Sequence, residues 1–187
     1  MSRMAWWMTA VILLAAPSVW AQGGGGGGGG GPQRPSNDTS IQDFKRAMEL
    51  QAAPDQIDDL HALQKSSEEA RQQAHALQEK ANASDGTGLY QPASVLKDNV
   101  DSLLNAERLF VKRMTKPQLV LLKEHLKKLN KVEGEIAKES KNLDEQMKRS
   151  AIDPKELANV AGRMEKGLAD LQGPLANLAD EMGVPKL

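Results

Sequence analysis

The chain of 187 residues has no cysteine, and aromatic residues make up only 3% of it: three tryptophans, one tyrosine and two phenylalanines. Without cysteine there is no disulfide, no thiol nucleophile, no cysteine-based zinc site and no lipoprotein anchor. The fold must therefore be held by packing alone. All three tryptophans (Trp6, Trp7 and Trp20) lie in the first 21 residues, which leaves Phe44, Tyr90 and Phe110 for the rest. Pockets for sugars, bases or drug-sized ligands are lined with aromatics, and this chain has almost none for that purpose. An excess of charge is lacking too: the formal net charge is −1 at pH 7. That balance gives no general reason to bind nucleic acid or an anionic membrane.

Long apolar runs are also scarce. The one candidate spans Ala5 to Ala16, after Arg3 and before Pro17. At about 12 residues it is short of the roughly 20 that cross a bilayer. With Val19-Trp20-Ala21 after it, the segment reads as a secretory signal cut after Ala21. The chain is then expected to be periplasmic or secreted, with no membrane span once the signal is removed. Gly23 to Gly31 are nine consecutive glycines, followed by Pro32-Gln33-Arg34-Pro35-Ser36. Such a segment cannot hold one backbone conformation cheaply, so 22–40 reads as a linker. The organisation is thus 1–21 signal, 22–40 linker and 41–187 helical domain.

From residue 41 the pattern is helical. A short helix is expected over Ile41–Ala52, a second from Pro54 to Asn82, and a loop over 83–88. A third runs from about Ser94 to Met114, a fourth begins after Thr115 and runs to about Arg149, and a fifth begins after Asp153 and ends near Gly183. Thr115-Lys116-Pro117-Gln118 has the form of a capping box, in which Thr115 and Gln118 satisfy each other's backbone N–H. Asp153-Pro154-Lys155-Glu156 has the same form, with proline at the first helical position.

Apolar residues follow 3,4 spacing. In the last helix they are Leu157, Ala161, Met164, Leu168, Leu171, Leu175, Leu178 and Met182. The others carry similar stripes, interrupted by Ser67, Glu107, Glu133 and Ser140. Stripes this narrow resemble coiled-coil seams. The expected fold is all-α: an elongated antiparallel helical bundle with coiled-coil-like heptad seams, its last helix kinked at Gly173-Pro174. If the third and fourth helices fold back at Thr115, Glu107 faces Lys123 and Glu133 faces Lys97.

No catalytic constellation, cofactor motif or metal-ligand spacing is present. The glycine run lacks the Lys-Ser/Thr of a phosphate loop, and His61, His75 and His125 do not pair at i, i+4. The chain is expected not to be an enzyme. One charged feature remains: Arg108, Lys112, Arg113, Lys116, Lys123, Lys127, Lys128 and Lys131 are interrupted by a single acid, Glu124. The strip is either a docking surface for acidic partners or a face that meets the acidic second helix (Asp55, Asp58, Asp59, Glu68, Glu69) within the bundle.

Met114-Thr115-Lys116-Pro117-Gln118-Leu119 resembles the LTxxQ motif of the CpxP/Spy-type periplasmic proteins. That family carries two copies, and Ala52-Ala53-Pro54-Asp55-Gln56 stands where the first would be. Pro54, Asp55 and Gln56 fit, whereas Ala52 replaces leucine, Ala53 replaces threonine, and Met114 replaces leucine in the second copy. The resemblance implies an all-α, cradle-like dimer acting in envelope stress as an ATP-independent chaperone or sensor-modulating accessory. It makes Gln56, Thr115 and Gln118 helix-opening, structural positions. The expected function is a non-catalytic helical binding protein for unfolded clients or protein partners. The alternative is a structural coiled-coil protein that pairs with itself or an envelope protein.

Overall fold

In the computed structural model, residues 37–84 and 86–186 are described; the signal and most of the linker lie outside them. The described residues form six helices: α1 (Asn37–Leu50), α2 (Pro54–Asn82), α3 (Tyr90–Arg113), α4 (Lys116–Leu121), α5 (Lys123–Met147) and α6 (Pro154–Glu181). No strand occurs among these residues.

The boundaries follow local chemistry. Pro54 opens α2 and keeps Ala53 extended, at φ −70° and ψ 156°. Helix α1 ends at Leu50, two residues before the expected end, because the Ala52 N–H leaves the helix and donates to Met182 O at 3.0 Å. Its start at Asn37 lies in the segment assigned to the linker. Helix α3 begins at Tyr90 rather than near Ser94, since Pro92 falls in the first turn, where no N–H is required. The C-terminus of α6 is a Schellman motif: Val184 N–H reaches Ala179 O at 2.8 Å, and Gly183 N–H reaches Asp180 O at 3.2 Å. Gly183 supplies the left-handed φ of 66° that this ending needs. Pro174 lies inside α6 without interrupting it, and the buried Leu171 and Leu175 on either side keep that stretch seated.

Four long helices pack in a closed antiparallel ring, α2–α3–α5–α6. Asn99 meets Gln73 and Arg113 meets Asp59 between α3 and α2. Arg108 meets Glu133 and Asp101 meets Ser140 between α3 and α5. Arg163 meets Glu139 between α6 and α5, and Gln172 meets Ser67 between α6 and α2. All eight predicted seam residues of α6 are buried. So are Ala158, Val160, Gly167 and Ala179, so the buried face of α6 is wider than a two-stranded seam. It must serve two neighbours, α2 on one side and α5 on the other.

The expected fourth helix is broken. α4 and α5 are separated at Leu122, whose ψ of 7° departs from the helical value near −42°. The α3–α5 register consequently differs from a hairpin folded at Thr115. Glu133 faces Arg108, about eleven residues or three turns from the expected Lys97. Lys97 pairs instead with Asp101 on its own helix, at 2.7 Å. Lys123 has no ion pair with Glu107, both of whose carboxylate oxygens are buried without a partner.

Candidate binding surface at the α1–α4 end

One end of the ring is organised around two glutamines. Thr115 is extended, and its Oγ1 accepts from Gln118 N–H at 3.3 Å while Gln118 Oε1 accepts from Thr115 N–H at 2.9 Å. The capping box is complete. Gln56 makes half of the same motif: its Oε1 accepts from Ala53 N–H at 3.0 Å, and Ala53 has no side-chain oxygen to answer with. The two amides then meet, each Nε2 donating to the other's Oε1 at 3.2 Å. Gln118 Nε2 also donates to Gln51 O at 3.3 Å, and Gln56 Nε2 to Arg113 O at 3.4 Å. Both side chains are buried. This clasp draws α4 toward the α1–α2 connection, which explains why the backbone changes course at Leu122.

Asp153 caps α6 by accepting from Lys155 and Glu156 N–H, at 2.9 and 3.4 Å. The reciprocal half of that box is absent. Glu156 turns instead to Gln146 and Arg149 at the end of α5.

The basic strip resolves into two kinds of residue. Arg108 pairs with Glu133 at 2.8 Å and Arg113 with Asp59 at 2.6 Å, both across helix interfaces. Lys112, Lys116, Lys123, Lys127, Lys128 and Lys131 are exposed and have no ion pair among the described residues. Of the acids on α2, only Asp59 meets the strip; Glu68 pairs with Arg71 and Glu69 with Lys65. Arg71 and Gln72, through their hydrogen bonds, hold the Glu68 carboxyl down at about 2.

Apolar side chains lie uncovered at the same end. On α1, Ile41, Phe44 and Met48 are 52%, 66% and 62% exposed, at i, i+3, i+7 spacing on one helix face. On α4, which packs against α1, Leu119 and Val120 are 38% and 73% exposed. Leu119 continues the 3,4 spacing of Leu122, Leu126 and Leu129, yet with α4 turned by the glutamine clasp it faces outward. Neither the exposure of α1 nor its contact with α4 follows from spacing, because an apolar stripe looks the same covered or bare. Beside this surface, Asp43, Arg46 and Ala47 of α1 form a shallow groove with His125, Asn177 and Glu181.

No protein-family model, curated protein or solved structure matches the chain.

The histidines are separated. His61 lies 2.8 Å from Pro185 O, His75 lies between Glu79 and Glu165 at 3.4 and 3.3 Å, and His125 is 3.9 Å from Glu181. Among the described residues, no group of three or more His, Asp and Glu side chains is arranged to hold a metal ion.

Proposed function

We propose that this chain is an exported, non-catalytic helical protein that holds unfolded clients or protein partners on the α1–α4 surface. The observation that carries the reading is Phe44. A chain with only two phenylalanines leaves one of them 66% exposed, in line with Ile41 and Met48. Isolated exposed apolar groups are ordinary, but an aligned set beside a second bare pair on α4 suits polypeptide docking. Each such side chain removed from water contributes about 1.5–3 kcal/mol, from which the ordering of the partner must be subtracted. Unpaired Lys116 and Lys123 flank Leu119 and Val120 in sequence and would favour segments with acidic character. The paired glutamines support the likeness to the LTxxQ proteins, since both motif-like segments come together in one clasp. No described helix is long and apolar enough to cross a membrane.

The same i, i+3, i+7 stripe suits a second reading, self-association through α1. The test is suppression of client aggregation by the wild type and by Phe44→Asp and Val120→Asp, with sedimentation of each. Clients are protected by the wild type and lose most of that protection with either variant, while both variants remain folded. Protection unchanged by both substitutions overturns the assignment of the surface. A dimer that dissociates in Phe44→Asp, with no client protection by any form, favours the second reading.

A further inference from the structure

Glu107 sits in the buried seam of α3, between Leu103 and Phe110, and is 1% exposed. Neither carboxylate oxygen has a hydrogen-bond partner. The other buried acid among the described residues, Glu139, is held by Arg163 at 3.0 Å and Asn142 at 2.9 Å. An ionised carboxylate without partners in such a place is strongly disfavoured, so the fold accommodates Glu107 as the neutral acid. Burial, and then the Glu133 carboxylate on α5, push its carboxyl up to about 8, against the pull of Arg108.

The surroundings offer the ionised form no relief. On α5, Glu133 faces the site and engages Arg108 at 2.8 Å. On α2, the register brings Lys65 and Glu69 to this level, but they pair with each other at 3.9 Å with side chains 75% and 59% exposed. Ser67 on α2 is occupied by Gln64 O and by Gln172 of α6. One helical turn away, the α3–α5 interface opens into a groove of about 350 Å³ with a mixed lining that includes Lys97, Asp101, Leu104, Arg108, Ala137 and Ser140. The groove is open to solvent along Arg108, the residue next to Glu107.

We propose that Glu107 is a proton-operated latch: protonated, it seats α3 against α5; ionised, it draws water in from the groove and parts the two helices. Parting them uncovers the buried face of α3 around Leu103, Leu104 and Phe110. The latch does not depend on the α1–α4 surface being a docking site.

The experiment is hydrogen exchange by mass spectrometry on the full chain from about pH 6 to about pH 9.5, expressed as protection factors, with dye binding to exposed apolar surface in parallel. In the wild type, protection of 90–113 and 123–147 falls about tenfold or more, with a midpoint near 8, and dye binding rises in step. Glu107→Gln keeps its protection over the same range. An equal transition in Glu107→Gln, or none in the wild type, overturns the latch. Should Glu107→Gln fail to fold, the carboxyl carbon of Glu107 followed by NMR in the wild type decides. Titration near 8 supports the proposal, and titration near the ordinary 4.5 ends it.

Discussion

Gln118 closes a helix start and joins three chain segments with one amide. Its Oε1 serves Thr115 N–H, its Nε2 reaches Gln51 O, and both atoms meet Gln56. Thr115 contributes a single capping oxygen, from an exposed position. The two residues of one motif should therefore differ in weight. Thr115→Ala is expected to destabilise by about 1 kcal/mol, the usual loss for an N-cap. Gln118→Ala takes one partner from each end of the buried Gln56 amide and removes those of Thr115 N–H and Gln51 O, and should cost about 2–3 kcal/mol. Urea denaturation of the two variants checks the order; an equal or larger loss for Thr115→Ala contradicts the clasp. The cap was legible from the Thr-x-x-Gln spacing, because that bond is local. The amide pair was not: Gln56 and Gln118 look like surface residues until the chain folds them together.

Among the elements, glycine tells which helix faces are filled. Gly134 in α5 and Gly173 in α6 have nothing within 4 Å of where a side chain would start. Gly167 in α6 is different: an added Cβ would stand 3.0 Å from Ile136 Cγ1, in the buried α5–α6 contact. Gly134→Ala should therefore raise stability by about 0.5–1 kcal/mol, through helix propensity alone. Gly167→Ala meets the core and should gain nothing or lose stability. Thermal melts of both settle the comparison, and an equal gain at the two sites would show that α5 and α6 are not packed as closely as described. Register belongs to this scale too. The apolar stripes of α2 and α6 could be read from spacing because burial repeats every turn. The pairing of α3 with α5 could not, because the break at Leu122 shifts every facing residue by about three turns and the stripes alone do not count the residues spent in the turn.

For the whole molecule, Glu107 sets a pH dependence opposite to that of most acids. The unfolded chain releases this proton near the ordinary 4.5, whereas the folded chain keeps it up to about 8. Between those values the unfolded state binds fewer protons, so stability is greatest below the lower one and falls as pH rises to the upper one. The slope from this group is at most about 1.4 kcal/mol per pH unit. Glu68 acts the other way, since its carboxyl is held down at about 2: its contribution is present above 4.5 and is lost as pH falls toward 2. That pair is exposed to solvent, so its effect is small. The urea midpoint should therefore decline from about pH 5 to about pH 8 in the wild type and stay level in Glu107→Gln. A wild-type midpoint that rises over this interval would falsify the assignment of a buried neutral acid.

The sequence by itself determined the helical class, the position of α2, the start of α6, the capping of α4 and most of the buried stripes. Each of these depends on contacts within one or two turns, where side-chain type and spacing act directly on the backbone. Tertiary structure alone decided the closed order of α2, α3, α5 and α6, and the meeting of Gln56 with Gln118. It also left Glu107 without the lysine expected opposite it, and left Phe44 bare while Phe110 was buried. Those outcomes turn on which faces of distant segments meet, and a stripe of apolar residues carries the wish to be covered without specifying by what.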